Sequence, residues 1–304
     1  MTVDAAGYAV LERRGVVAVS GEDRAVFLQG LVSNDVTAVT DQRAAYSLFL
    51  TPQGKFLHDF ILIGFGGALL LDPETERRAD LLKRLKMYKL RSKIALEDRA
   101  ESLRIVVAFG SGALAALGLP EEAGAARPFA GGVAITDPRL PALGARLILP
   151  VDGFDDALAA LDAAGLARRT VTDYDRLRVT LGVPDGSADM IPDKAIPLEN
   201  RLDALNAVSW TKGCYMGQEL TARTKYRALI KKKLFPVTLD GPLPEPGTPV
   251  TLGDKEVGEL RGGVDGHALA LLRLADLEDA TAPLTVGTTR LSWRAPEWDA
   301  PVVA

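Results

Sequence analysis

The feature that most constrains the fold is a change of sequence pattern near residue 228. Beyond it, short runs of alternating apolar and polar residues are separated by turns rich in proline and glycine, such as residues 241–247. Short strands at this spacing are typical of a small β-barrel or sandwich. Before it, helical periodicities and apolar, strand-like runs are interspersed. The sequence therefore predicts an α+β protein with two domains, residues 1–228 and residues 229–304.

Composition limits the class of protein. The 304 residues are 47% hydrophobic and 25% charged, which is ordinary for a soluble globular chain. A net charge of −4 argues against nucleic-acid binding driven by bulk charge. No stretch approaches the roughly 18 uncharged apolar residues that a membrane span needs, and no secretory signal is apparent. A single cysteine excludes an internal disulfide, so we expect a cytoplasmic protein.

That single cysteine, Cys214, lies in a stretch dense in glycine, charge and amide groups, residues 211–219. One interpretation is a small buried hydrophobe, the usual fate of an isolated cysteine. The other is a working thiol in a constrained loop. In that case Lys212 would favour the reactive thiolate, and Gly213 and Gly217 would shape the backbone.

The same count limits metal chemistry. An iron–sulfur cluster usually needs about four protein thiolates, so this chain cannot hold one alone. Its two histidines, His58 and His267, cannot form an all-histidine site. We therefore predict no resident metal.

An apparent nucleotide motif is weak. An apolar run at 103–109 is followed by Gly110-Ser111-Gly112, which resembles the entry to a dinucleotide-binding unit. The third glycine and the acidic residue about 20 positions later are missing. The sequence predicts a plain strand-to-helix turn here.

Residues 212–219, Lys-Gly-Cys-Tyr-Met-Gly-Gln-Glu, resemble the signature of the YgfZ-type folate-binding proteins, which are relatives of the glycine-cleavage T-protein, an aminomethyltransferase. The likeness spans about residues 20–275. It implies a T-protein-like folate-binding domain of two subdomains, followed by the barrel. Further blocks that resemble this family lie at residues 27–36, 51–59, 88–93, 196–199 and 207–210.

The resemblance also implies a function. The chain would bind tetrahydrofolate or a one-carbon derivative and assist iron–sulfur cluster assembly or repair in client enzymes, including tRNA-modifying enzymes. Cys214 would be the working thiol, tuned by Lys212. Residues implied to hold the folate are Arg176, Glu199, Trp210, Gly213, Tyr215, Gly217, Gln218, Glu219, Arg223 and Arg227.

Two of these implied contacts have a simple chemical reason. An arginine at position 176 could pair with a carboxylate through its planar fork. A carboxylate at position 199 could accept hydrogen bonds from the amino-pyrimidine edge of a pterin.

An enzymatic alternative uses Asp59. The T-protein has two adjacent acids at the matching place, where a carboxylate serves aminomethyl transfer; here His58 replaces one of them. Neighbours on a strand face opposite sides, so this pair cannot act together on one substrate. The plainer interpretation is a partly buried histidine beside a surface aspartate. The second hypothesis is thus a folate-dependent aminomethyltransferase or demethylase of a small amine, and whether any reaction is catalysed is left open.

Basic residues are concentrated at 83–93 and at 223–233. They could form an anion site for the glutamate tail of a folate. RNA would use the same cations, with Tyr226 as a stacking platform, which makes a weak tRNA contact or a non-catalytic binding module a third hypothesis. The lysines at 231–233 could equally protect the edge of a sheet.

Overall fold

The computed structural model describes residues 5–227, 229–277 and 283–299. The chain forms two compact units, each built from separate stretches of sequence. Unit 1 comprises Met1–Leu50, Leu57–Tyr174 and Leu205–Met216, and unit 2 comprises Thr51–Phe56, Asp175–Ala204 and Gly217–Ala304. A single boundary near residue 228 does not describe this division. Unit 2 also includes residues 51–56 and 175–204, and its last stretch already begins at residue 217.

Unit 1 contains two sheets and the helices that cover them. Its strands are β1 (Gly7–Val10), β2 (Val17–Ser20), β3 (Ala45–Leu50), β4 (Phe56–Phe65, whose first residue belongs to unit 2), β5 (Ala68–Leu71), β6 (Ala95–Asp98), β7 (Leu103–Phe109), β8 (Ala126–Phe129), β9 (Gly132–Thr136), β10 (Ala145–Pro150) and β11 (Ala167–Arg168). Its helices are α1 (Arg24–Gln29), α2 (Arg78–Lys89), α3 (Ala113–Ala116) and α4 (Phe154–Ala163). Helix α5 (Val171–Leu181) begins in unit 1 and continues into unit 2.

The five-stranded sheet has the order β3-β4-β5-β2-β6. Strands β4 and β5 pair antiparallel, with Leu62 opposite Leu71, and form a hairpin with its turn at Gly66 and Gly67. Helices α1 and α2 bury Leu28 and Leu85 in the same apolar cluster as Phe60 of β4. This cluster holds the two helices that lie beside the cysteine loop.

The six-stranded sheet has the order β11-β1-β7-β10-β9-β8. Strand β7 runs antiparallel to both β1 and β10. A dinucleotide-binding unit requires parallel neighbours joined through a helix, and α3 is only 4 residues long. The glycine pair after β7 is therefore a plain turn, as predicted.

Unit 2 contains a closed barrel with the strand order β12-β15-β14-β13-β16-β17. Its interior is apolar, with Phe235, Val250, Leu260 and Leu272 buried. Strand β12 pairs with β15 from Lys232 to Thr238 and with β17 only from Val237 to Asp240, so Lys232 and Lys233 lie where β12 is paired with β15 alone. The elements of unit 2 after α5 are α6 (Gly186–Asp189), α7 (Gln218–Tyr226), β12 (Lys232–Asp240), β13 (Pro249–Leu252), β14 (Lys255–Val264), β15 (His267–Arg273), α8 (Leu274–Leu277), β16 (Leu284–Val286) and β17 (Thr289–Trp293).

The α+β class and the C-terminal barrel predicted from the sequence are thus confirmed. Among the described residues, no helix is both long and apolar enough to cross a bilayer.

Candidate functional site

The cysteine loop is irregular from Thr211 to Gly217 and then enters α7 at Gln218. Its side chains alternate between interior and solvent. Lys212 and Tyr215 are buried, with 8% and 7% of their surface exposed, whereas Cys214 between them is exposed. The interpretation of this cysteine as a small buried hydrophobe is therefore wrong, and the thiol is presented to solvent on an anchored loop.

Lys212 is the main anchor of this loop. Its Nζ donates hydrogen bonds to the backbone carbonyls of Gln29 at 2.8 Å, Val32 at 2.7 Å and Asn34 at 2.7 Å. These carbonyls lie at the C-terminal end of α1 and in the turn after it, where carbonyls lack helical partners and attract positive charge. An ammonium has three N–H donors, and all of them are used here.

The environment of Lys212 changes its titration. Burial lowers its pKa to about 8, and the nearby carboxylate of Asp35 opposes this shift. The ring of Tyr215 lies 5.3 Å from the ammonium. The position of Lys212 near Cys214 suggested that it activates the thiol, but its N–H donors all bind main-chain carbonyls. What the structure shows for it is a positioning role.

A second set of contacts joins residues 206–209, which precede the loop, to residues 33–34, which follow α1. The hydroxyl of Ser33 donates to the carbonyl of Ala207 at 2.6 Å, and the N–H of Ser209 donates to the carbonyl of Ser33 at 3.0 Å. The side-chain amide of Asn34 donates to the carbonyl of Asn206 at 2.7 Å. Two motifs about 170 residues apart in sequence are thereby held together in unit 1.

The far end of the loop is held by Met216, whose sulfur accepts a hydrogen bond from the hydroxyl of Tyr88 on α2 at 3.3 Å. Gly217 then adopts φ +83°, a left-handed conformation that favours glycine. Gly213 differs, because a side chain added there would meet no atom within 4 Å and its φ is not positive. Only Gly217 is required by backbone geometry.

The predicted folate residues after the loop lie on α7 or at its end. Gln218 is partly buried in the first turn, and Glu219 is exposed beside it. Arg223 on α7 and Arg227 directly after it are exposed, and the N–H of Arg227 donates to the carbonyl of Arg223 at 3.1 Å. Trp210, before the loop, is partly buried.

Glu199 has the environment of a polar binding group. Its carboxylate is half-buried in unit 2, and burial raises its pKa despite the positive charges of Lys232, Lys55 and Arg261 nearby. Within the described ranges, the two oxygens of this side-chain carboxylate have no hydrogen bond or ion pair in the structure. A half-buried acceptor beside three cations suits a ligand that has both N–H donors and carboxylates. Reduced folate is such a ligand, so these residues fit it.

Arg176 does not offer a free guanidinium. It forms an ion pair with Asp265 of the barrel. Its guanidinium thus pairs with a carboxylate of this chain, and the folate contact implied for Arg176 stays a prediction.

Asp59 is not at the surface, so that interpretation is wrong. Its side chain is buried, and it accepts hydrogen bonds from Arg14 at 3.2 and 2.9 Å and from the hydroxyl of Tyr46 at 2.9 Å. Its charge is balanced inside unit 1 by Arg14. A carboxylate committed in this way is a poor candidate for a catalytic base.

His58 faces the other side of β4, as alternation along a strand requires. Its Nε2 lies 2.9 Å from a carboxylate oxygen of Asp80 on α2. Burial and the charge of Arg77 lower the pKa of His58 to about 4, so its imidazole is neutral at physiological pH. It packs the helix against the sheet.

Arg139 is a buried arginine that no sequence pattern singled out. Arg139 pairs with Asp137 at 2.7 Å, donates to the hydroxyl of Tyr174 at 2.9 Å and lies 5.7 Å from the ring centre of Tyr46. No local motif predicts the environment of Arg139, because its aromatic partners Tyr174 and Tyr46 are distant in sequence. In the residues that the structure covers, no group of three histidine, cysteine or acidic side chains could hold a metal ion.

Comparison with known proteins places these features in a family. The iron-sulfur cluster assembly factor IBA57, mitochondrial, of Mus musculus is 36% identical over 299 residues, which cover 92% of this chain and 80% of the mouse protein. The chain belongs to the IBA57 family. The Homo sapiens protein of that name is 37% identical over 282 residues, covering 86% of this chain and 76% of its own length.

Two further matches concern the fold. Residues 231–301 match the family model of the CAF17 C-terminal beta-barrel domain. The glycine cleavage system aminomethyltransferase T from Bartonella henselae superposes with a TM-score of 0.75 at 16% identity, covering 98% of this chain and 87% of that one. The T-protein-like fold predicted for this chain is confirmed, while membership of the YgfZ-type branch stays a prediction.

Proposed function

We propose that this IBA57-family chain assists the assembly or repair of iron–sulfur clusters in client enzymes, with Cys214 as its working thiol. The observation that carries the proposal is the exposed thiol of Cys214, which lies between the buried residues Lys212 and Tyr215. Support comes from the relatives, which are named as iron-sulfur cluster assembly factors.

The chemistry of the thiol limits how it can act. One thiolate supplies one ligand, and a cluster usually takes about four from protein. The remaining ligands must come from a client or an assembly protein that approaches the loop. Lys212 and Met216 hold the two sides of Cys214, which keeps the sulfur in one place for that encounter.

The chain also binds a reduced folate in this proposal. Glu199 would accept hydrogen bonds from the pterin, and Lys55 and Lys232 would pair with the carboxylates of the glutamate tail. When bound, a reduced folate can carry a one-carbon unit. Client enzymes would include tRNA-modifying enzymes, and the location would be the cytoplasm.

The second hypothesis, aminomethyl transfer with Asp59 as the catalytic carboxylate, is not favoured. Its oxygens are bonded to Arg14 and Tyr46 in the interior. A base that must leave a buried ion pair before it can accept a proton is costly to use.

The thiol proposal is tested in a strain that lacks the gene. Wild-type protein should restore the activity of a cluster-dependent enzyme, and Cys214→Ser should not, although it accumulates to the same level. Thr211→Ser, a conservative change at an exposed position of the same loop, is the matched control. Full restoration by Cys214→Ser would show that the thiol has no working role.

Folate binding is tested separately by anaerobic titration with tetrahydrofolate, followed by tryptophan fluorescence and calorimetry. We expect saturable binding at micromolar concentrations, which corresponds to about −8 kcal/mol. Glu199→Gln should weaken it at least severalfold, since an amide accepts less strongly than a carboxylate. No binding at millimolar folate would refute the folate part and leave the thiol part standing.

A further inference from the structure

One surface of unit 1 has a composition that the fold does not explain. It consists of the outer side of α2 and the residues that follow it, and we call it the α2 surface. Residues 81–96 contain no acidic side chain, although the whole protein has a net charge of −4. The α2 surface is formed by Lys83, Lys86, Met87, Tyr88, Lys89, Leu90 and Arg91.

The cations of this surface are available. Among the described residues, Lys83, Lys86, Lys89 and Arg91 form no ion pair in the structure. Their neighbour Arg84 is different, because it pairs with Asp80 at 2.7 Å. Lysines in the last turn of α2 also favour the helix dipole, but this effect does not require the absence of acids along the following segment.

Apolar side chains stand exposed among these cations. Met87 is 60% exposed and Leu90 is 88% exposed. Leu90 also has φ +43°, a conformation that a leucine rarely adopts and that suits glycine. Neither its side chain nor its backbone conformation is explained by packing within the chain. An apolar group exposed among cations is typical of a contact surface for another molecule.

The α2 surface is physically connected to the thiol loop. The hydroxyl of Tyr88 donates to the sulfur of Met216, two residues from Cys214. The other end of the surface is tied to α1, because Asp23 accepts a hydrogen bond from the N–H of Lys93 at 2.7 Å. A molecule docked on α2 would therefore lie beside the exposed thiol.

We propose that the α2 surface docks an acidic protein segment that carries apolar side chains, on the same client or assembly protein that meets Cys214. This inference rests on the proposed function. Charge complementarity selects the acidic partner: four unpaired cations attract carboxylates and repel basic surfaces. Met87 and Leu90 would enter the apolar part of the contact.

RNA fits this surface less well. Single-stranded RNA binds through cations together with aromatic side chains on which bases stack. The aromatic residue of this surface, Tyr88, is only 38% exposed, its hydroxyl is bonded to Met216 and its ring contacts Phe49 edge-on at 6.3 Å. Exposed aliphatic groups such as Leu90 add nothing to the binding of phosphates.

The test uses full-length protein and labelled model peptides. The first probe is an amphipathic peptide of glutamate and leucine at helical spacing. The second replaces its leucines by serine, the third replaces its glutamates by glutamine, and bulk tRNA is the fourth. Fluorescence anisotropy should show saturable binding of the first peptide and at least roughly tenfold weaker binding of the other two peptides, because both charge and apolar contact are needed.

Two variants localise the binding. Lys86→Glu should weaken it by roughly tenfold or more, whereas Arg290→Glu, the same charge change at an exposed position of the barrel, should not. Leu90→Gly should weaken it severalfold while the melting temperature stays equal or rises, since glycine suits the positive φ.

Any of three results would overturn the proposal: equal binding of the serine peptide, equal binding by Lys86→Glu and wild type, or tighter binding of tRNA than of the first peptide. Cys214→Ser should bind the peptide normally. If Cys214→Ser also restores the cluster-dependent enzyme in the deletion strain, the proposed function fails, and the peptide titrations still decide whether α2 is a docking surface.

Discussion

Arg14 and Asp59 form a two-point ion pair in the interior of unit 1, with nitrogen–oxygen distances of 3.2 and 2.9 Å. Their side chains are only 2% and 0% exposed, and Tyr46 adds a hydrogen bond to the same carboxylate. The position that the T-protein resemblance marks as catalytic is thus occupied by a pair that holds β4 to the segment before β2. These contacts give Asp59 a structural role, because they hold β4 to the segment before β2.

The first prediction concerns that pair. Asp59→Ala leaves the Arg14 guanidinium buried without its counter-charge, which should lower the free energy of unfolding by about 3–5 kcal/mol. Denaturant unfolding measures this directly. Glu122→Ala removes the partner of Arg43 in an ion pair whose side chains are 63% and 58% exposed, and it should change stability little. Equal effects of the two substitutions would contradict the buried pair.

The second prediction concerns Lys212. Replacing it by methionine leaves three main-chain carbonyls without a donor, which should cost about 1–3 kcal/mol at neutral pH. Because burial lowers the Lys212 pKa from 10.5 to about 8, the unfolded chain binds more protons between these values. The contribution of Lys212 to the free energy of unfolding should therefore rise with pH in that window.

Denaturant unfolding of wild type and Lys212→Met at pH 7.5 to 9.5 tests this second prediction, with the exposed Lys83→Met as control. The stability difference between wild type and Lys212→Met should grow as pH rises, and that between wild type and Lys83→Met should not. Parallel pH profiles for all three proteins would mean that Lys212 titrates alike in both states.

The third prediction concerns the accessibility of Cys214. As the only thiol in 304 residues, and an exposed one, it should react with a maleimide in the native protein at a rate within a few-fold of that in denaturant. Cys214→Ala should change the free energy of unfolding by no more than about 0.5 kcal/mol, because it removes no packed group. Protection of the native thiol would place the sulfur in the interior instead.

The fourth prediction concerns acid stability. Burial lowers the pKa of His58 from 6.5 to about 4. Between these two pH values His58 is protonated in the unfolded chain and neutral in the folded chain. Stability present above pH 6.5 is lost as the pH falls towards 4, by on the order of 3 kcal/mol. His58→Gln should lose less over the same range. Ring signals in NMR, assigned with His267→Asn, should show a neutral His58 imidazole at pH 5.5.

Part of this structure was predictable because it depends on local patterns. Alternating apolar residues separated by proline-rich turns predicted the barrel, and the missing third glycine after the apolar run at 103–109 predicted a plain turn after β7. The cysteine loop was predictable as irregular backbone, because glycine and charge crowd there. Only its end was misplaced: Gln218 already belongs to α7.

The partners of the charged groups were not predictable. Lys212 lies two residues from Cys214, which suggested an effect on the thiol, yet its donors reach carbonyls about 180 residues earlier. Asp59 was expected at the surface because aspartate is usually exposed. Its partner, Arg14, lies 45 residues away, and a single sequence carries no record of such pairings.

The composition of unit 2 has a consequence for dissecting the molecule. The barrel strands close on themselves, but the N–H of Leu234 donates to the carbonyl of Glu199, and Arg201 donates to the carbonyl of Leu234 at 2.6 Å. A gene fragment that starts at residue 229 would encode every barrel strand. It would lack Glu199 and Arg201, and therefore both of these hydrogen bonds. The barrel is therefore poorly suited to expression as an isolated domain or to fusion with another protein. A fragment designed to fold alone would need to include residues 175–204.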